Sequence, residues 1–536
     1  MSERPESEMN STDYDVVIVG AGFAGLYMLY QMKKIGLNAR VFEGGDNVGG
    51  TWFWNRYPGA RCDVPSMQYS YQFDAELQQE WKWPERYSAQ PDILKYIEHV
   101  ANKFNLKKDI EFNSWITAAE YMAEKKAWRV KTETQSVTSR FCVMATGCLS
   151  AANTPNFSGL EKYSGKLLHT GKWPKENIDF TGKTVGIIGT GSSAIQSIPL
   201  IAKEAKHLYV FQRTPNYSVP AANAPTNVEE EKDIKSRYAE FRAECASRVT
   251  GYEMHLNEKS ALSVDATELK SEYERRWANG GLMFLGGFAD ILTDPAANET
   301  AAQFIREKIS TIVSDPAIAK ILMPEHKVGC KRLCADTGYY ETFNRSNVSL
   351  IDVSSDPIKE ITKRGLMTRD SKFEFDNLVM ATGFDAMTGA VTKIDIAGIG
   401  GITLKEQWAE EPTAYLGLST HNFPNFFTVT GPGSPSVLTN MIPSIEQHVD
   451  WIANCITWLD QNGYKSIEAD ANAESAWAKH VNEVADATIF PTCNSWYLGA
   501  NIPGKTRTFL PYLGFPAYVQ KCNSVVKNNY EGFHLS

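Results

Sequence analysis

DYDVVIVGAGFAGLYMLYQMKKIGLNARVFEGG (residues 13–45) is the stretch that decides the fold. The β-branched run Val16–Val19 reads as a strand buried on both faces, as strands of a parallel sheet are. It stops at Gly20-Ala21-Gly22-Phe23-Ala24-Gly25, and the apolar period through Met28, Leu29 and Met32 predicts a helix. Gly20 permits the tight turn, Gly22 lets the backbone approach a pyrophosphate, and Gly25 lets helix and strand pack closely. The unpaired N–H groups of the helix start then face the phosphates. A second strand, Ala39–Phe42, delivers Glu43 as an acceptor for a ribose hydroxyl. Strand, glycines, helix, strand and acid together specify a dinucleotide site.

The residues that follow indicate which dinucleotide. Gly49-Gly50-Thr51-Trp52 comes shortly after the acid, and a glycine pair in that place resembles the FAD-binding variant of the fold. Ala145-Thr146-Gly147 and Ala381-Thr382-Gly383, each closing an apolar run, resemble the strand-end turns of flavoproteins that bind two dinucleotides. A second cradle, TGKTVGIIGTGSSAIQSIPLIAKEAKHLYVFQRTP (181–215), supplies the other site. Its strand is Thr184–Ile188 and its loop is Gly189-Thr190-Gly191-Ser192-Ser193-Ala194. Where an NAD site would end its second strand in an acid, this chain has Gln212-Arg213-Thr214. A carboxylate there would repel a 2′-phosphate, whereas Arg213 can grip it with two parallel hydrogen bonds. NADPH is therefore expected rather than NADH.

The bulk numbers limit the remaining classes. At 536 residues with a net charge of −9, the chain is long enough for several domains and too acidic for nucleic acid to be an expected partner. No apolar run approaches the roughly 18 residues of a membrane helix. The N-terminal MSERPESEMNSTDYD lacks an apolar core, so a disordered lead-in is expected there rather than a secretory signal. The nine cysteines show no regular framework and no Cys-x-x-Cys, which fits a reducing cytoplasm, structural cysteines and no metal site. A monomer is the default.

The order of motifs predicts an α/β protein with two Rossmann-type domains, the second carrying a helical insertion. The FAD domain is expected to be discontinuous, 1–150 plus 385–536. The NADPH domain, 151–217 plus 329–384, lies within it, and the charged, helix-patterned residues 218–328 are inserted in turn.

Between the cradles stands YSGKLLHTGKWP (163–174). With Tyr163 in place of a leading Phe, its Gly165, His169, Trp173 and Pro174 match the FxGxxxHxxxWP signature, and the chain is similar to the Type I Baeyer–Villiger monooxygenases. Further matches run over essentially the whole length: GGTWFWNRYPGARCD, QRTPNYSVPA, GCKRL, LVMATGFDA, FTVTGPGSPS and SWYLGANIPGK. The resemblance implies that NADPH reduces FAD, that dioxygen forms a C4a-peroxyflavin, and that the peroxide anion converts a ketone to an ester or lactone. It further implies that Arg332 is the catalytic arginine and that Asp63 is the carboxylate that positions it beside the cofactor. Lys331 would join Arg213 and Thr214 at the 2′-phosphate, Gln196 would contact the nicotinamide, and Trp496 would sit on a loop that closes over the coenzyme. Within Gly431–Leu438, Ser436, Val437 and Leu438 match the longer active-site loop of the phenylacetone branch, which implies aryl, linear or larger ketones. His169 and Trp173 are read as a hinge, not as proton carriers. Two rivals stay open: a heteroatom monooxygenase for sulfides or amines, and, more remotely, a non-catalytic flavin-binding sensor. A disulfide reductase would need the missing redox cysteine pair.

Overall fold

The computed structural model describes residues 12–536, and the expected lead-in lies outside them up to residue 11. Tyr14–Val19 pairs in parallel with Ala39–Phe42 on one side and Ser136–Met144 on the other. Val16, Val17 and Ile18 are wholly buried, which is why this run contains no polar residue. The glycine helix is Phe23–Lys34, with Leu26, Met28, Leu29 and Met32 buried. Strands from far along the chain complete this sheet. Phe426–Thr428 lies parallel to Ser136–Met144, and Asp395–Ala397 lies parallel to Ile116–Met122.

A second, five-stranded sheet runs in the order Val348–Asp352, His207–Gln212, Thr184–Ile188, Asn377–Met380, Lys166–His169, with every neighbouring pair parallel. The two Ala-Thr-Gly turns occupy equivalent places in the two sheets. A Cβ on Gly20 would sit 2.7 Å from the Ala145 carbonyl oxygen, and one on Gly189 would sit 2.3 Å from that of Ala381. Each tripeptide therefore abuts the first glycine of a cradle. Both glycines also have positive φ, +104° and +117°, so no side chain fits either turn.

Five helices of seven or more residues make up most of the insert: Val228–Ser236, Tyr238–Ala246, Ala266–Asn279, Pro295–Ile312 and Pro316–Leu322. Asn227, Asp265, Asp294 and Asp315 cap four of them by accepting first-turn N–H groups. Their packing is divided. Ile234, Tyr238, Phe241, Tyr252 and Met254 join the core under the first sheet, whereas Ala261, Tyr273 and Ile305 join the core of the second.

Among the described residues no helix is long and apolar enough to cross a membrane, and no cluster of three or more His, Cys, Asp or Glu could hold a metal ion. The cysteines depart from the sequence reading at one point: Cys330 and Cys493 are bonded across 163 residues, a separation that spacing rules cannot detect.

His448, wholly buried on helix Met441–Gln461, fixes the approach to the 431–438 loop. Its Nδ1 accepts the Thr430 N–H at 2.9 Å, and its Nε2 meets the Tyr518 hydroxyl at 2.9 Å. Thr430 has φ +61°, so its N–H points away from any sheet partner and is met by this ring instead. Burial pushes His448 down to about 3. The unfolded chain takes up a proton below about 6.5 while the folded one resists, so stability falls with pH in that window. Measured by urea unfolding, wild type should lose ~1.4 kcal/mol per pH unit relative to His448→Gln on acidification below about 6.5. Parallel pH profiles for the two proteins would refute this.

Candidate active site

The first cradle is built by two glycine loops meeting backbone to backbone. A Cβ on Gly22 would lie 3.3 Å from Gly50 Cα, and one on Gly25 would lie 1.8 Å from the Gly20 carbonyl oxygen. No side chain caps the Phe23–Lys34 helix, so its first N–H groups are available to a phosphate. Glu43 is 5% exposed, and its two oxygens accept the N–H groups of Ala21 and Gly45, each at 2.7 Å. Burial pushes its carboxyl up, and the two N–H groups pull it back. Each carboxylate oxygen keeps a second lone pair for a ribose hydroxyl. Trp52 is buried and donates from Nε1 to the Tyr69 hydroxyl at 3.2 Å, while Thr51 beside it is exposed. These features fit FAD.

The second cradle fits NADPH. No atom lies within 4 Å of a Cβ built on Gly191, and the helix that follows, Ser192–Glu204, has no side-chain cap. The Thr190 hydroxyl donates to the Thr214 carbonyl at 2.9 Å, tying the glycine loop to the turn that carries Arg213. Ser192 Oγ is 3.1 Å from Cys334 Sγ. Among the described residues Arg213 and Lys331 form no ion pair, although most other cations of this region do. Burial, then the charge of Arg213, pulls the Lys331 ammonium below its ordinary value. Two unpaired cations that repel each other make a site for a doubly charged anion such as the 2′-phosphate.

Gln196 joins the cradles. Its Oε1 accepts the Tyr57 hydroxyl at 2.8 Å, and its Nε2 donates to the Arg61 carbonyl at 3.0 Å. Gly59 makes the approach possible, because its Cβ would sit 2.3 Å from the Gln196 carbonyl oxygen. Tyr57 and Ala60 are packed into the core of the second sheet. Ser193 lies half-buried on the first turn of the same helix.

The same loop then delivers Asp63. Arg332 donates from Nε and Nη2 to the two Asp63 oxygens, both at 2.8 Å, and from Nη1 to the Val437 carbonyl at 2.8 Å. Burial works against this guanidinium charge, but Asp63 more than compensates and holds its pKa well above the ordinary value. Three of the five N–H donors of an arginine are thereby committed, which fixes the plane in which the others point. Ser436, buried with φ +42°, turns the 431–438 loop so that Val437 presents its carbonyl, and Leu438 is half-buried next to it. Trp496 is half-buried, with its ring centroid 4.2 Å from that of Tyr497. Tyr497 itself is buried next to Arg332 and pushed up to about 12, chiefly by burial. Tyr57, Tyr497 and the Val437 carbonyl were not singled out from the sequence. Tyr57 and Tyr497 stand inside the matched GGTWFWNRYPGARCD and SWYLGANIPGK stretches, and that was the available signal.

The signature stretch is an edge strand, Lys166–His169, followed by a 3-10 turn. His169 Nδ1 accepts the Gly171 N–H at 2.9 Å, so its proton is on Nε2, which faces the Asn153 carbonyl at 3.2 Å. Both nitrogens are thus engaged, and burial lowers the ring's pKa. Trp173 packs against Phe180 in the core of the second sheet, and Pro174 ends the turn. A Cβ on Gly165 would meet the Tyr163 hydroxyl at 2.3 Å and the Asp376 carbonyl at 2.4 Å. The extra hydroxyl of Tyr163 donates to the Phe375 carbonyl at 3.2 Å.

Comparisons with known proteins agree with this geometry. The family described as Pyridine nucleotide-disulphide oxidoreductase matches residues 17–281. The cysteines within that span, Cys62, Cys142, Cys148 and Cys245, are all free. The chain is 42% identical to a cyclohexanone 1,2-monooxygenase of an Acinetobacter species, over 98% of this chain and 97% of that protein. It is 40% identical to a Baeyer-Villiger monooxygenase of Pseudooceanicola batsensis, over 97% and 95%. The structure of an oxidised steroid monooxygenase bound to NADP superposes with a TM-score of 0.93 at 49% identity, covering 97% of this chain and 99% of that one. An enzyme of the flavin- and NADPH-dependent monooxygenase class is thus defined. The chain belongs to the Type I Baeyer–Villiger monooxygenases.

Replacing Lys331 by Ala should raise the KM for NADPH roughly tenfold or more, the worth of a charge-assisted phosphate contact, and leave that for NADH almost unmoved. Equal effects on the two coenzymes, in steady-state kinetics, would remove Lys331 from the 2′-phosphate.

Proposed function

We propose that this chain oxygenates a ketone to an ester or lactone with Arg332 as the catalytic residue and Asp63 as the residue that positions it. The observation that carries this reading is the bidentate Asp63–Arg332 pair with its third hydrogen bond to Val437 in the substrate loop. Bound FAD and NADPH would supply the electrons with which dioxygen is activated. The chain's own residues orient the two cofactors, exclude water and answer the charge that develops on the carbonyl oxygen. A guanidinium suits the last task, because it stays charged at any working pH and its donors are fixed before the reaction begins. The long 431–438 loop supports aryl, linear or larger ketones as substrates. A discontinuous FAD domain enclosing the NADPH domain, a cytoplasmic location and a monomeric state belong to the same reading.

The test is to incubate the holoenzyme with NADPH, isotopically heavy dioxygen and a panel of ketones and sulfides, and to identify products by mass spectrometry. Esters or lactones carrying one heavy oxygen are expected, and sulfoxides without esters would favour the heteroatom rival. Arg332→Ala should lower ester formation by at least ~10²-fold, as loss of an oxyanion donor does, while NADPH still reduces the flavin. Retained ester formation in that variant would take the arginine out of the chemistry.

A further inference from the structure

The Cys330–Cys493 bond joins the two segments that the proposed reaction needs held together. Cys330 is wholly buried and immediately precedes Lys331 and Arg332. Cys493 is half-exposed and stands three residues before Trp496. Their Cα atoms are 6.2 Å apart, within the range that a disulfide spans. Otherwise the Trp496 segment is held by non-covalent contacts: Phe490, Tyr497 and Phe509 pack into the first core, and a few polar contacts reach other segments. The Ile489 N–H donates to the Leu292 carbonyl at 2.9 Å, Asn501 Nδ2 donates to the Phe384 carbonyl at 2.5 Å, and Lys505 pairs with Asp385 at 2.7 Å. The bond is therefore the one covalent tie between this segment and the Lys331–Arg332 turn.

The chemistry at the two sulfurs is also distinct. The other seven cysteines are free and buried. Cys493 instead lines a surface recess of about 320 Å³, together with Asn482, Thr492, Arg507 and Thr508. That recess and its partial exposure make Cys493 the accessible end of the bond, whereas Cys330 is buried. On the buried side, His326 Nδ1 is 3.8 Å from Cys330 Sγ, close to the sulfur that would leave. Exposed disulfides are the labile ones, and those that form in reducing compartments are usually transient and catalytic or redox-sensing.

We propose that Cys330–Cys493 is a reversible redox modification site, opened by small thiols or dithiols and closed by hydroperoxides, whose closed form holds the Trp496 segment against the coenzyme-binding turn. In opening, a small thiolate attacks Cys493 and displaces the Cys330 thiolate, which takes a proton. A second thiol then releases Cys493, so that one disulfide and two small thiols give two cysteines and one small disulfide. In closing, the Cys493 thiolate attacks a hydroperoxide to give a sulfenic acid and an alcohol, or water where the oxidant is hydrogen peroxide. The Cys330 thiol displaces the sulfenic hydroxyl as water and restores the S–S bond. The inference rests on the coenzyme role proposed for Lys331 and the Trp496 segment.

The test compares holoenzyme equilibrated with dithiothreitol against holoenzyme equilibrated with hydrogen peroxide. Alkylation followed by non-reducing peptide mapping should show a linked Cys330–Cys493 peptide after peroxide and two alkylated cysteines after dithiothreitol. Titration calorimetry with NADP+ should show affinity at least about fivefold weaker in the opened form, at the lower end of site-to-site coupling. Cys493→Ser should bind NADP+ like the opened form after either treatment. Absence of the linked peptide after peroxide, the same NADP+ affinity in both forms, or a Cys493→Ser protein that still responds would each overturn the proposal. A failure of the ketone assignment would appear as missing esters in the oxygenation assay and would leave the peptide map unchanged.

Discussion

The bidentate pair between Asp63 and Arg332 is the contact from which the geometry of the catalytic seam follows. Its carboxylate comes from the loop after the first cradle, and its guanidinium comes from the turn that leaves the insert, 269 residues later. Both side chains keep some exposure, 22% and 27%, so the pair contributes more through direction than through net stability. Two parallel N–H···O bonds fix a plane, and the third bond, to Val437, fixes a rotation within it. A lysine in place of Arg332 would keep the charge and lose both constraints. Every element that sets the Asp63 loop thereby also sets the reach of Arg332. Tyr57, Gly59 and Gln196 act in this way, since they dock that loop onto the helix of the second cradle.

A few residues away the electrostatics reverse. Asp63 pairs with Arg332, whereas Lys331 feels the charge of Arg213 and, among the described residues, neither of those two cations has an ion pair. Adjacent residues of one turn thus serve opposite ends. In the proposed reading, one cation is satisfied by the protein and the other is left for the charge of the coenzyme's 2′-phosphate. Because both stand on one short segment, a phosphate seated there would also bear on the orientation of the arginine.

Most of the fold was legible in the sequence because its determinants are local. The buried run at Val16–Val19, the glycines at 20, 22 and 25, and Glu43 each act within a few residues of themselves, and period, turn chemistry and charge report them directly. The expectation of NADPH over NADH likewise rested on a local feature, Arg213 at the end of a strand. Asp63 and Arg332 were not readable in this way. Nothing within either segment marks it as special, and only the likeness to a family brought them together. Tyr57, Tyr497 and the Val437 carbonyl went unremarked because their roles arise from contacts made at long range. The disulfide was missed because the buried Cys330 and the half-exposed Cys493 carry no shared spacing. The engagement of both His169 nitrogens, with the Gly171 N–H and the Asn153 carbonyl, was visible only in the structure.

The division of the insert between two cores sets a limit on motion. Met254 is buried under the first sheet and Ala261 under the second, so residues 255–260 are a short strap between the two halves. Stretched fully, such a strap reaches about 25 Å. Two of its hydrogen bonds, from Arg276 to the His255 carbonyl and from the Asn257 N–H to the Gly286 carbonyl, take up part of that length. Any rearrangement that keeps both cores intact must then pivot within this tether. The two sheets can be turned relative to one another, but they cannot be separated beyond the reach of this strap.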